Sequence, residues 1–212
     1  IYFINDEYKC PKIILREEGE KDIVLNDYLS HGNGLIKLIG NEEFDLKEGE
    51  ITEIFQIKVF KIFFPNNQKS KISLIAHNIE VTSSSIYEYI PEFAENFYDQ
   101  SEDGSKKDYM IKTYVLGKYL DDNVSLERIT FNFHKTESDE FYKFSQKSIE
   151  KQAAMLTKEL DIFKDEIKTR QNKKLEKINQ YVNSEAPWYK SYLKDIDLSS
   201  IPYNLSEEDI DS

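Results

Sequence analysis

The chain has 212 residues, 39% of them hydrophobic and 13% aromatic, which is enough apolar mass for a substantial core. Its formal net charge is -12, so its surface repels phosphate backbones, and nucleic acid is not expected as its main partner. One cysteine, Cys10, rules out an internal disulfide framework and points to the cytosol. Beside Pro11 it reads as a small buried hydrophobe. No apolar run reaches the ~20 residues that a membrane span needs, and no signal peptide is visible.

The first 137 residues are rich in short β-branched and aromatic bursts. Lys12–Leu15 and Leu35–Ile39 are two of these. The longest is "ITEIFQIKVFKIFF", residues 51–64. There Phe55, Ile57 and Val59 share a face, and Phe60, Ile62 and Phe64 continue on the other. Such a phase change predicts a bulge or a strand buried on both sides. Pro65-Asn66-Asn67 reads as a turn, and "KISLIAHNIEV" after it predicts a hairpin with the preceding strand, with a break near Asn78. In "SSSIYEYIPEFAENF", Ser83–Ser85 offer a helix cap and Pro91 limits or restarts that helix. "EDGSKKD" is a polar loop. Tyr109, Ile111, Thr113 and Val115 then alternate along a further strand, and Ile129, Phe131 and Phe133 along a last one, after an acidic turn at Asp121-Asp122-Asn123.

From Ser138 the period changes. Ile149, Ala153, Leu156, Leu160, Phe163 and Ile167 step by four and three, as in an amphipathic helix. The stripe resumes at Leu175, Ile178 and Val182. No glycine or proline interrupts 137–186, so the expectation is one helix of ~35 residues, ~50 Å long, or two joined by a kink within Arg170–Lys174. The stripe reads as domain core or as a seam for a partner. "PWYKSYL" is a short aromatic segment, and the last eighteen residues carry six acids and no Lys or Arg. The organisation expected is therefore a β-rich domain over 1–137, a helical arm over 138–195, and an acidic linker or new element over 196–212. Together they make an α+β chain whose two ends look cut from a longer protein.

No phosphate-cradling glycine loop and no nucleophile elbow occurs. His31, His77 and His134 are far apart and lack a second ligand at helical or hairpin spacing. The chain by itself does not read as a complete enzyme.

Two stretches carry a resemblance. "KISLIAHNIEVTSSSIYEYIPEF" resembles a segment of the second domain of GHKL-type ATPases, the superfamily of gyrase B, the heat-shock-ninety chaperones, histidine kinases and MutL. "YVLGKYLDDNVSLERITFNF" is similar to a run in bacterial members with a histidine kinase/heat-shock-like ATPase domain, through Val115, Gly117, Tyr119, Leu120, Asp121, Val124, Glu127, Arg128 and Phe131. "INQYVNSEAPWYKSYL" extends the likeness, which spans about residues 71–195. Where that family places a basic residue after the Asn, this chain has Ile79.

The resemblance implies a middle, or transducer, domain: a mixed sheet with helices on one face and a left-handed βαβ crossover. An upstream domain of the same protein would hold ATP and Mg²⁺. The transducer would reach a basic side chain to the γ-phosphate and couple nucleotide binding to movement of the helices downstream. It also allows a homodimer formed on ATP. Two residues fit the phosphate contact. Arg128, at a loop-to-strand junction, offers a planar bidentate guanidinium. Lys118, at a loop tip, offers a mobile point charge. Alternatively Arg128 only pairs with Asp121 or Asp122 and fixes the turn, at ~0.2–1 kcal/mol. The other reading of the whole chain is a non-enzymatic scaffold or interaction module built on the long helix.

Overall fold

A computed structural model describes residues 11–26, 35–63, 69–100, 104, 106–136, 144–184 and 187–188. Cys10, Phe64, the turn at 65–67, the boundary at 137 and the segment from 189 onward lie outside the described residues.

Short β1 (Ile14–Leu15) and β2 (Ile23–Val24) pair as an antiparallel ribbon. Two longer hairpins then build most of the sheet. β3 (Ile36–Glu48) turns through Gly49, at φ +62, into β4 (Ile51–Ile62). β5 (Lys71–Ala76) turns through His77 and Asn78 into β6 (Ile79–Ser85). Both turn residues are left-handed, at φ 48 and 64, the backbone that a two-residue hairpin loop of matching twist requires. β7 (Phe97–Gln100) pairs with the start of β8 (Lys106–Leu116).

The strand order is β3-β4-β8-β5-β6, with every pair antiparallel except β5 and β8. The expected β4–β5 hairpin is therefore not formed, because β8 lies between the two strands. Val59–Ile62 of β4 and Ile72–Ala76 of β5 are buried at successive positions, as befits strands in the interior of a sheet with both faces covered. The break near Asn78 is itself a hairpin turn. The parallel β5–β8 pair needs a long crossover. That crossover runs through β6, 3₁₀ turns at Ile86–Glu88 and Pro91–Phe93, and β7. No α-helix occurs among its described residues, so the βαβ unit implied by the resemblance is absent there. Ser83–Ser85 belong to β6, Ser85 makes no side-chain cap bond, and Pro91 starts the second 3₁₀ turn.

The phase change in β4 has the predicted form. Phe55, Ile57 and Val59 join the main core, while Phe60 and Ile62 pack with Met110 in a second cluster. A bulge accompanies it, between Leu38 and Gly40 of the partner strand β3. Lys61 falls on the core side of the alternation, is buried, binds Asp99 at 2.7 Å and lies 4.1 Å over the Tyr109 ring. Tyr109, Ile111, Thr113 and Val115 share the core face of β8, as their spacing predicts.

Three α-helices follow among the described residues: α1 (Lys118–Asp122), α2 (Gln146–Glu159) and α3 (Asp161–Ser184). Their buried side chains Leu120, Ile149, Ala153, Ala154, Phe163 and Ile167 all enter the main core, which places the helices on one face of the mixed sheet. The protein is thus α+β. Thr157 of α2 hydrogen-bonds Thr113 of β8 at 3.0 Å.

The long helix is broken, but at Leu160 and not within 170–174. Leu160 takes an extended backbone (φ -60, ψ 130) and lies against Gly40, where a Cβ would come within 2.8 Å of its Cδ1. The polar stretch read as a kink stays helical because two of its members are buried: Arg170 and Lys174 are each only 3% exposed. Among the described residues, no helix is long and apolar enough to cross a membrane.

Candidate functional site

The segment 117–135 carries both cations singled out by the sequence. It leaves β8 at Gly117, where an added Cβ would stand 3.0 Å from the Ile54 carbonyl oxygen and 3.0 Å from Phe55. That close approach brings α1 down on β4. Tyr119 and Leu120 are its buried residues. The Tyr119 ring stacks on Phe133 at 5.3 Å and meets Phe55 and Phe144 edge-on. Asn123 closes the helix by donating Nδ2–H to the Tyr119 carbonyl at 2.8 Å. Asp121 accepts the backbone N–H of His77 at 2.6 Å, which ties α1 to the β5–β6 turn.

The chain then reverses. Val124 bridges Phe131, Asn132 N–H donates to Asn123 O at 2.9 Å, and Ser125 N–H to Thr130 O at 2.9 Å. Arg128 N–H closes the turn on Ser125 O at 2.9 Å. Arg128 itself is left-handed, at φ 57. The strand expected over 128–133 is therefore replaced by one isolated bridge, and Arg128 sits in the turn and not at the mouth of a strand. Alternation misled because only Phe131 and Phe133, stacked at 4.8 Å, turn inward, whereas Ile129 is 74% exposed. Lys118, expected at a loop tip, is the first residue of α1.

Arg128 and Lys118 are both exposed. Neither side chain makes an ion pair or hydrogen bond among the described residues, so the expected pairing of Arg128 with Asp121 or Asp122 is not formed.

The sequence did not mark the connection between this segment and α2. Tyr119 Oη donates to Phe144 O at 3.0 Å and accepts Phe144 N–H at 3.4 Å. Gln146 and Lys147 donate their backbone N–H groups to His134 O (3.1 Å) and Lys135 O (2.9 Å), and Ser148 N–H is capped by Ser145 Oγ at 3.1 Å. These are donors that a helix start leaves open. Here they bind the tail of the turn, so the start of α2 is not available as an anion site.

A second polar centre also escaped the sequence reading, because it lies on the buried stripe of α2. The Glu150 carboxylate is 1% exposed and accepts from Ser84 Oγ (2.8 Å), Tyr89 Oη (2.5 Å) and Gln146 Nε2 (2.8 Å). Burial, reinforced by Glu150, pushes the Tyr89 phenol far above its usual range. The carboxylate is fully engaged and fastens α2 to β6.

Among the described residues no cluster of His, Cys, Asp or Glu can hold a metal ion. Comparison with protein families, curated proteins and solved structures returns no match to the chain.

Proposed function

We propose that this chain is a transducer of the GHKL type: it presents Arg128 to ATP held by a preceding domain and passes the resulting movement to α2 and α3. The observation that supports this most is the unbroken tie from the Arg128 turn, through Phe131, Phe133 and Tyr119, to the first turn of α2. A preorganised turn whose guanidinium has no partner among the described residues suits delivery of charge to phosphate oxygens, where a cation supplied by another domain accelerates hydrolysis. Lys118 is the second choice for that contact. The scaffold alternative has less support, since Phe163, Ile167, Ile178 and Val182 of the apolar stripe are buried within the chain itself.

The test is steady-state ATP hydrolysis by the natural full-length protein. Arg128→Ala is expected to lower turnover tenfold or more with nucleotide binding intact. Absence of hydrolysis in the wild type would remove the transducer reading. Equal turnover in both would make Arg128 structural and direct attention to Lys118.

A further inference from the structure

We infer that β6 is a dimerisation edge: two copies of this chain pair antiparallel through Thr82–Ser85, with the two-fold axis at Ser83. Such pairing does not depend on the transducer reading.

The outermost strands of a sheet offer unpaired backbone groups, and charged side chains are the usual means of blunting them. Here the outer strands of the main sheet are β3 and β6. β3 is blunted. It carries Lys37, Glu42, Glu43, Asp45, Lys47 and Glu48, and a two-fold axis near its middle would set Glu42 or Glu43 against its own copy. β6 lacks that protection. Residues 81–86 include no charged side chain and no proline. No residue of β6 is buried, and among the described residues no strand pairs with its outer side.

The edge is self-complementary. Ile86 N–H donates inward to Ser70 O at 3.1 Å, so strand alternation turns the backbone groups of Ser85 and Ser83 outward. The register shift opposite Leu74 and Ile75 makes Val81 a bulge, which confines the regular edge to Thr82–Ser85. An axis at Ser83 lets that residue exchange two backbone hydrogen bonds with its own copy, and it sets Thr82 opposite Ser84 on both sides.

The Thr82 hydroxyl selects a second copy as the occupant. Its Oγ1 is buried and has no hydrogen-bond partner among the described residues. Buried polar atoms are normally satisfied. Thr82 and Ser84 lie on the same face of β6, where Ser84 Oγ donates to Glu150 of α2 at 2.8 Å. With its proton committed to Glu150, the Ser84 hydroxyl of the second copy is free to accept from Thr82. Cross-strand hydroxyl pairs of this kind stabilise antiparallel strands. Charge agrees. Antiparallel pairing brings the Glu80 end of one copy beside the Ser85 end of the other, whose neighbour in β5 is Lys71. The net charge of -12 is therefore not concentrated along the seam.

The test uses the purified natural full-length protein. In a Cys10→Ser background, Ser83→Cys is expected to form a disulfide-linked dimer in oxidised glutathione, because the axis places the two Cα atoms within disulfide reach. Glu42→Cys on the β3 edge is expected to crosslink at least tenfold more slowly. A short paired edge makes a weak dimer, so sedimentation is read at about 100 μM. Ser83→Pro removes the outward N–H and is expected to weaken that dimer at least tenfold at an unchanged urea midpoint. Should the proline variant fail to fold, the crosslink comparison decides alone. A monomer with no crosslink overturns the pairing and leaves the edge to a strand from a different protein. A dimer in which Ser83→Cys crosslinks no faster than Glu42→Cys, or one that a folded Ser83→Pro does not weaken, is held by another surface and overturns it too.

Discussion

Tyr119 and Phe144 exchange two hydrogen bonds across 25 residues of sequence, Oη to carbonyl at 3.0 Å and N–H to Oη at 3.4 Å. The pair is buried and joins α1 to the residue preceding the cap of α2. Tyr119→Phe keeps the ring contacts with Phe55 and Phe133 but strands both backbone groups of Phe144. Leaving buried polar groups unsatisfied costs about 1–3 kcal/mol. Urea unfolding should show that loss as a lower midpoint at unchanged slope. An unmoved midpoint would mean that the junction contributes no net stability.

Arg170 presents a second case of a polar group in the core. Its Nη1 donates to Glu92 O at 2.5 Å and Glu95 O at 3.0 Å, its Nη2 to Asn96 O at 2.8 Å, and its Nε to Glu166 at 2.9 Å. The guanidinium also lies 4.2 Å over the Phe97 ring. It satisfies carbonyls within and just after the second 3₁₀ turn and pins them to α3. Arg170→Ala should destabilise the fold by about 3 kcal/mol through stranded carbonyls and lost packing. Arg170→Lys should recover only part of this, because an ammonium cannot span the same carbonyls as a planar fork. Full recovery by lysine would show that charge alone matters there.

These two residues explain what could and could not be read in advance. The strands with plain alternation, such as Tyr109–Val115, and the two-sided burial of β4 follow from local period, and so were legible. Strand order was not, because it depends on which partner covers an apolar edge, and a hairpin signal at 65–67 says nothing about β8. Arg170 and Lys174 looked like a polar break because sequence shows polarity and hides burial. Leu160 looked like one more member of an apolar stripe, and its departure from the helix is visible only with Gly40 beneath it. At the candidate site, the residue types Arg128 and Lys118 were legible. The turn that holds Arg128 was not, since three apolar residues at alternate positions imitate a strand until one of them, Ile129, faces water.

Stability should fall in alkali. Burial, with a smaller push from Glu80, raises the Tyr114 phenol from its usual value near 10 to about 12. Burial followed by Asp99 raises Tyr109 further, and Tyr89 shifts in the same sense. Between the unfolded and folded values the unfolded chain has lost the phenolic proton and the native chain retains it. Unfolding then releases protons, so native stability is complete below about pH 10 and declines as pH rises through 10 to 12. Each tyrosine contributes a slope of up to about 1.4 kcal/mol per pH unit. Urea midpoints from pH 8 to 11 should drop at the upper end, and Tyr114→Phe should reduce the drop. A flat profile to pH 11 would contradict the burial of these phenols.

Arg128 occupies a left-handed backbone, φ 57, that costs an L-residue roughly 1 kcal/mol and a glycine almost nothing. Its side chain meets no partner among the described residues, so stability does not account for an arginine at this position. Arg128→Ala keeps the strained backbone and should leave the urea midpoint within about 0.5 kcal/mol of wild type. Arg128→Gly relieves the strain and should gain up to about 1 kcal/mol, less whatever the freer unfolded chain takes back. If the guanidinium serves a phosphate, the two variants must agree in function while they differ in stability: both lose ATP turnover in the natural full-length protein. If the residue merely shapes the turn, the glycine variant should be at least as active as wild type. Measuring both quantities on both variants therefore separates a cation held for chemistry from one that only happens to stand in the turn.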